Sequence, residues 1–265
     1  NANLQGALFL KAQLQEAQFD GADLRGADFS DANLDDASFS GAKMDRETIF
    51  RRASMINTDF SEIDLSEGNF REVKGFGIDF SNAKLMGADF EDAVLRQSDF
   101  SEADISGAIF RNADMYGAQM EEANARGCDF EGARIDVLHG SDGTDFSNSL
   151  FLRVSARGSI WEDSVLDSCV IEEADFSDSQ FAFTSMQNLR AKRAHFTNAI
   201  FDDANATGAC FEYCNLLRTS FERSNLKSLQ MVGCNAYEAS FADAVKNDDT
   251  RFNNCNLKKA AGIKP

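Results

Sequence analysis

Residues 7–29 contain Ala7-Leu8-Phe9, Ala12-Gln13-Leu14, Ala17-Gln18-Phe19, Ala22-Asp23-Leu24 and Ala27-Asp28-Phe29, one triplet every five residues. The third residue of each triplet is large and apolar, and the first is small. We call the large residue the centre. Centres recur from Leu4 to Met44, from Phe50 to Ile135, from Phe146 to Phe241, and at Phe252 and Leu257. All 24 Phe except Phe76 and Phe183 occupy a centre. A five-residue beat fits neither the 3.6-residue helix nor a flat alternating strand. It fits a short extended stretch followed by a corner. The centre and the residue two before it then point the same way, inward, because strand side chains alternate. Repeating stretch and corner winds a solenoid in which each coil buries its inward residues on the next.

Centres alternate in size through the first half: Leu14, Phe19, Leu24, Phe29, Leu34, Phe39. With four sides per coil, Phe stacks on Phe in two opposite columns, one through Phe9, Phe29, Phe50 and Phe70, the other through Phe19, Phe39, Phe60 and Phe80. Three sides would mix sizes and leave voids. Small residues face the rings, since a narrow core is easily overfilled.

The pattern Ala-(Asp/Asn)-(Leu/Phe)-x-x, as in Ala22-Asp23-Leu24-Arg25-Gly26 and Ala88-Asp89-Phe90-Glu91-Asp92, resembles the pentapeptide repeat family. The resemblance runs through essentially the whole chain. It implies an all-β, right-handed quadrilateral β-helix of roughly 12 coils at about 4.8 Å each. Residues 1–265 read as one continuous rod with a change of style near 138–145. Before it the beat is strict and Ala-rich; after it Ser, Thr and Cys often replace Ala. The phase slips by one residue between Met44 and Phe50, between Ile135 and Phe146, and between Phe241 and Phe252. Residues 138–144 read as a surface loop, and Gly75, at a centre, as a kink or a thin coil.

Five of the six Cys (Cys128, Cys169, Cys214, Cys234 and Cys255) fall in the Ala slot, as small buried residues. Free thiols fit a reducing, cytoplasmic setting. No run of 18 apolar residues marks a membrane span. His139 and His195 are the only histidines. There is no phosphate loop, dinucleotide fingerprint or zinc-protease motif, so the sequence implies no enzyme, metal or cofactor.

Charge is the strongest functional lead. The net charge is −18, which repels nucleic acid and attracts basic surfaces. The phase stacks Asp59, Asp79 and Asp99 in one outward column, with Glu62, Glu102 and Glu122 on the adjoining corner. Residues 1–140 carry more of the excess than residues 141–265. Outward apolar residues Leu150, Leu152, Val170, Phe76 and Phe183 are further candidate contacts. The expected role is a non-enzymatic scaffold that meets a protein partner with a basic surface through outward columns. Exposed solenoid ends also invite end-on self-association. The resemblance implies a narrower alternative: some pentapeptide repeat proteins are acidic DNA mimics that bind DNA gyrase or another topoisomerase. The in-phase start at Asn1 fits a third possibility, a module of a larger secreted or secretion-associated protein.

Overall fold

The computed structural model describes residues 2–263. The backbone returns to register every 20 residues, or 21 where one is inserted. Four parallel columns of bridges result. Face I starts at Asn3, face II at Leu8, face III at Gln13 and face IV at Gln18. On face IV the ladder is unbroken from Gln18 through Asp59, Asp79, Asp99, His139 and Ile160 to Ala261. No helix occurs among the described residues. The architecture is a single β-solenoid rod, as the five-residue beat predicts.

Each corner follows from local hydrogen bonding. The centre's carbonyl accepts from the amide three residues on, as Leu4 O does from Ala7 N at 3.0 Å and Leu24 O from Ala27 N at 2.9 Å. The residue two after the centre is left-handed, with Asp31 at φ 59° and Asn82 at φ 58°. That conformation closes a type II-like turn and favours Gly, Asn and Asp.

At some corners the ladder runs one residue further and forms short strands. β1 (Ser54–Ile56), β2 (Lys74–Phe76) and β3 (Val94–Arg96) make one parallel sheet on face III. β4 (Leu150–Leu152), β5 (Val170–Glu172), β6 (Arg190–Lys192), β7 (Cys210–Glu212), β8 (Gln230–Val232) and β9 (Arg251–Asn253) make another on face II.

The core is two interlocked stacks of rings. On face II, Phe70, Phe90 and Phe110 stack nearly parallel, with centroids 4.7 and 5.0 Å apart. On face IV, Phe80 and Phe100 stack at 5.0 Å. Phe100 meets Phe90 and Phe110 edge-on at 5.9 and 5.8 Å. Both geometries suit the ring quadrupole, because neither sets one face squarely on another. The regularity ends on face IV at Met120, Gly140 and Trp161. A β-carbon on Gly140 would lie 2.9 Å from the Phe146 ring, which fills that space from face I. The buried Trp161 Nε1 finds no hydrogen-bond partner.

Residues 138–144 are therefore not a projecting loop. Leu138 and Thr144 are buried, His139 stays in the ladder, and Gly140 takes a centre's place. The inserted residue is absorbed in the turn at Ser141, Asp142 and Gly143. Gly75 marks no break either. It sits within β2, and the Ile78 side chain, in a slot usually held by Ala, occupies the volume its side chain would need.

The shift from Ala to Ser, Thr and Cys also has a local cause. A hydroxyl or thiol in the small slot reaches the carbonyl of the centre one coil earlier. Thr58 donates to Leu34 O at 2.9 Å, Ser149 to Ala125 O at 2.8 Å and Cys169 to Phe146 O at 3.0 Å. These hydroxyls and thiols thus enter the core without being orphaned.

We expect Phe100→Ala to cost about 3–5 kcal/mol, since it removes a stacked ring and two edge contacts; chemical denaturation measures it, and an unchanged midpoint would contradict the inward stack. Burial pushes the Cys128 and Cys169 thiols up to about 12. Neither should react with iodoacetamide near pH 8 until the protein unfolds. Mass spectrometry of native and denatured samples reads this directly.

Candidate functional site

Asp59, Asp79 and Asp99 pair in register on face IV, each one ladder step from the next. Their first task is local. The carboxylate of each accepts the backbone N–H two residues on, from Ser61 at 2.9 Å, Ser81 at 2.9 Å and Ser101 at 2.8 Å. This side-chain turn explains why Asp or Asn so often precedes a centre. It satisfies a backbone donor that the corner leaves unpaired, a role beyond simple hydration of the rod. The sequence reading missed that role, although the recurrence of Asp and Asn at one spacing signals it. Glu62, Glu102 and Glu122 stand on the next corner with φ of 58–59°, exposed to solvent. The six carboxylates share one side of the rod.

The acidic surface is larger than those six. The outward positions and corner of face IV also carry Asp20, Glu121, Asp142, Glu162, Asp163, Asp202, Asp203, Glu222 and Asp243. Face IV thus holds 15 of the chain's 44 acidic residues and, among the described residues, a single cation of its 26 Lys and Arg, Arg223. Its net −14 is most of the chain's −18. Counting by halves of the sequence hides this. Counting by column, with the three insertions allowed for, shows it.

On the other faces Lys and Arg nearly balance the acids, and many of them form ion pairs. Arg25 holds Asp23 on face I, Arg52 holds Asp31 on face II, and Arg96 holds Asp114 on face III. Arg71 bridges Asp89 and Glu91 on face II. The Arg52 guanidinium lowers the Asp31 carboxyl below the usual range, and Arg51 does the same to Glu72. On face IV, Arg223 binds Asp203 at 2.8 Å and reaches Asp202 and Glu222. His139 Nδ1 lies 3.9 Å from Glu121. No ion pair reaches Asp59, Asp79, Asp99, Glu62, Glu102 or Glu122 among the described residues. Like charges opposite one another on adjacent strands repel, so this face is unfavourable for the isolated rod.

The outward apolar residues do not form one site. Leu150, Leu152 and Val170 lie half-buried on face II in β4 and β5. Phe76 is exposed on face III, in register with Ile56 of β1. Phe183, 61% exposed, stands on the corner of face IV between Asp163 and Asp203. On face II, Arg190 and Lys192 line an open concavity of about 500 Å³ with Glu172, Cys210 and Glu212. The Ser141 hydroxyl donates to Asp142, not to His139. No cluster of three or more His, Cys, Asp or Glu among the described residues is placed to hold a metal ion.

Known families match the repeats that build these faces. The family description "Pentapeptide repeat region" matches residues 46–120. "Pentapeptide repeats (8 copies)" matches residues 1–31, 12–46 and 174–212. No curated protein matches the sequence. Among solved structures, the chain is similar to HetL, a pentapeptide repeat protein involved in heterocyst differentiation regulation in the cyanobacterium Nostoc. Identity is 20%, over 96% of this chain and 90% of that one, with a TM-score of 0.37. A pentapeptide repeat protein of the Arabidopsis thaliana thylakoid lumen is 27% identical over 38% of this chain and 66% of its own, with a TM-score of 0.34. A trypsin-treated variant of QnrB1, a plasmid-mediated fluoroquinolone resistance protein, is 11% identical over 74% of this chain and 91% of its own, with a TM-score of 0.40.

Replacing Asp59, Asp79 and Asp99 together with Asn keeps the acceptor for each turn and removes the repulsion. The melting temperature should rise. Ala at the same three positions deletes the turn bonds and should lower it. Calorimetry on the two variants tests this, and an equal response would contradict the double role assigned to the column.

Proposed function

Because the chain belongs to the pentapeptide repeat family, we propose that it is a non-enzymatic interaction rod whose acidic face binds a basic protein surface. The observation that carries this is the segregation of charge: net −14 on face IV against a total of −18. A basic partner relieves the repulsion along that face, so binding energy and relief of repulsion act together. Complementary fields speed encounter, and salt weakens them. The solenoid backbone holds the carboxylates in place before binding, which limits the ordering cost of association.

The charge spacing favours a narrower reading of the partner. From Asp20 to Asp243 the face crosses eleven coil steps, roughly 53 Å at 4.8 Å each. Net −14 over that length is about one charge per 3.8 Å, near the 3.4 Å per phosphate along one strand of duplex DNA. A basic groove built for a nucleic-acid strand fits such a line. DNA gyrase or another topoisomerase is the partner we propose within that class.

Two measurements test the two levels. Fluorescence anisotropy with a deca-arginine peptide should show salt-sensitive binding, weakened about tenfold by Asp59→Asn, Asp79→Asn and Asp99→Asn together. The same number of Asp→Asn changes at Asp28, Asp89 and Asp129 of face II should matter far less. Equal loss in both variants would sink the assignment to one face. A gyrase supercoiling assay, with and without a quinolone, decides the narrower reading. An effect lost in the face IV variant supports it, and no effect at micromolar protein removes gyrase.

A further inference from the structure

The exposed large apolar side chains of face IV, among its described residues, lie in one region around Phe183. Ile160 and Ile200 lie one ladder step either side of Gln180, on the same coils as Asp163 and Asp203. Phe183 projects from the corner between those two aspartates, with Ala182 beside it. Phe183 is 61% exposed and Ile200 41%. Carboxylates border the group on both sides. Glu162 and Asp163 make no ion pair among the described residues, whereas Asp202 and Asp203 are held by Arg223.

Phe183 has no structural reason to be aromatic. Its φ is +60°, where a bulky residue is disfavoured relative to Gly or Asn. Equivalent corners hold such residues readily: Asn82 of face IV has φ 58° and Asn188 of face I has the same value. Its ring contributes nothing to the stacked core, which Phe181 supplies two residues earlier. An exposed ring in a disfavoured conformation, inside a charged surface, has the anatomy of an interface anchor: an apolar centre with a polar rim.

We propose that this region docks a basic amphipathic helix of the partner, with Phe183, Ile160 and Ile200 against its apolar stripe. The proposal deepens the acidic-face reading and rests on it. The dimensions support a helix. Ile160 and Ile200 are two ladder steps apart, about 9.6 Å, and positions i and i+7 of a helix are about 10.5 Å apart on one side. A helix lying along the rod thus places successive apolar residues over Ile160 and Ile200, with Phe183 at its flank. Lys or Arg beside the stripe then meets Glu162 and Asp163. No other described stretch of face IV offers both the apolar contact and the charge.

Two synthetic 18-residue peptides of equal positive charge test this. Both are Lys-rich. One carries Leu at i, i+3, i+4 and i+7 spacing, and the other carries Gln at those positions. Anisotropy at fixed salt should show the Leu peptide binding about tenfold more tightly to the native protein. Phe183→Asn, which suits the left-handed corner and should keep or raise the melting temperature, should abolish that preference and leave the Gln peptide unchanged. Tyr213→Asn, at an equally exposed corner of face II, should leave both alone. Equal, salt-sensitive binding of the two peptides would overturn the Phe183 docking site while leaving the acidic face intact. A Leu preference that survives Phe183→Asn would overturn it too. If neither peptide binds, the acidic-face reading falls with it.

Discussion

The parallel ladder's rise governs everything else in this molecule. Because the backbone comes back to register after 20 or 21 residues, each side chain sits about 4.8 Å from the residue at the same place in the next coil. Every column must therefore tolerate its own kind at that distance. Phenyl rings tolerate it by stacking slightly offset and locking edge-on with the opposite column. Alanine tolerates it by being small. Thiols and hydroxyls tolerate it because the carbonyl one coil earlier accepts their proton. Carboxylates stacked without a cation between them do not, and the excess of carboxylate over Lys and Arg is concentrated on one face.

Much of the fold was legible because the inward columns obey that rule strictly. The Phe positions identify two opposite sides, and the Ala positions identify what faces them. What escaped the sequence reading were compensations between columns. Gly140 looks like the start of a loop until Phe146 is seen to enter its space from a neighbouring face. Gly75 looks like a kink until Ile78 is seen to fill its volume. These pairs exchange volume between positions that are neither adjacent in sequence nor 20 apart, so no single period exposes them. The acidic face was half legible. Asp59, Asp79 and Asp99 announce themselves by spacing, whereas Glu162, Asp202 and Asp243 are reached only after two insertions shift the register.

The corners show how little the fold asks of its surface. Any corner residue must accept a positive φ, and the chain meets that demand with Gly, Asn, Asp, Glu, Arg and even Val137 and Phe183. The position before a centre supplies an acceptor for one amide where it is Asp or Asn, yet it also admits Ile160 and Ile200. The inward columns supply the stability and leave the outward ones free to vary. Ion pairs then use that freedom on faces I, II and III, where Arg side chains reach carboxylates a coil away.

That freedom makes the Asp column informative. Asn performs the same turn at Asn33 and Asn69, whose side-chain oxygens accept the amides of Asp35 and Arg71. Stacked Asn residues also bond to each other. Asn235 donates to Asn215 at 3.1 Å, Asn256 to Asn235 at 2.8 Å, and Asn225 to Asn205 at 3.2 Å. An Asn column thus gains a hydrogen bond per coil where an Asp column gains a repulsion. The chain uses the favourable version on faces I and III. At Asp59, Asp79 and Asp99 it holds the unfavourable one, with no Arg near enough to relieve it. Folding does not require that choice. The cationic partner we propose accounts for it, and this is the physical ground for proposing the interaction on face IV rather than on any of the other three.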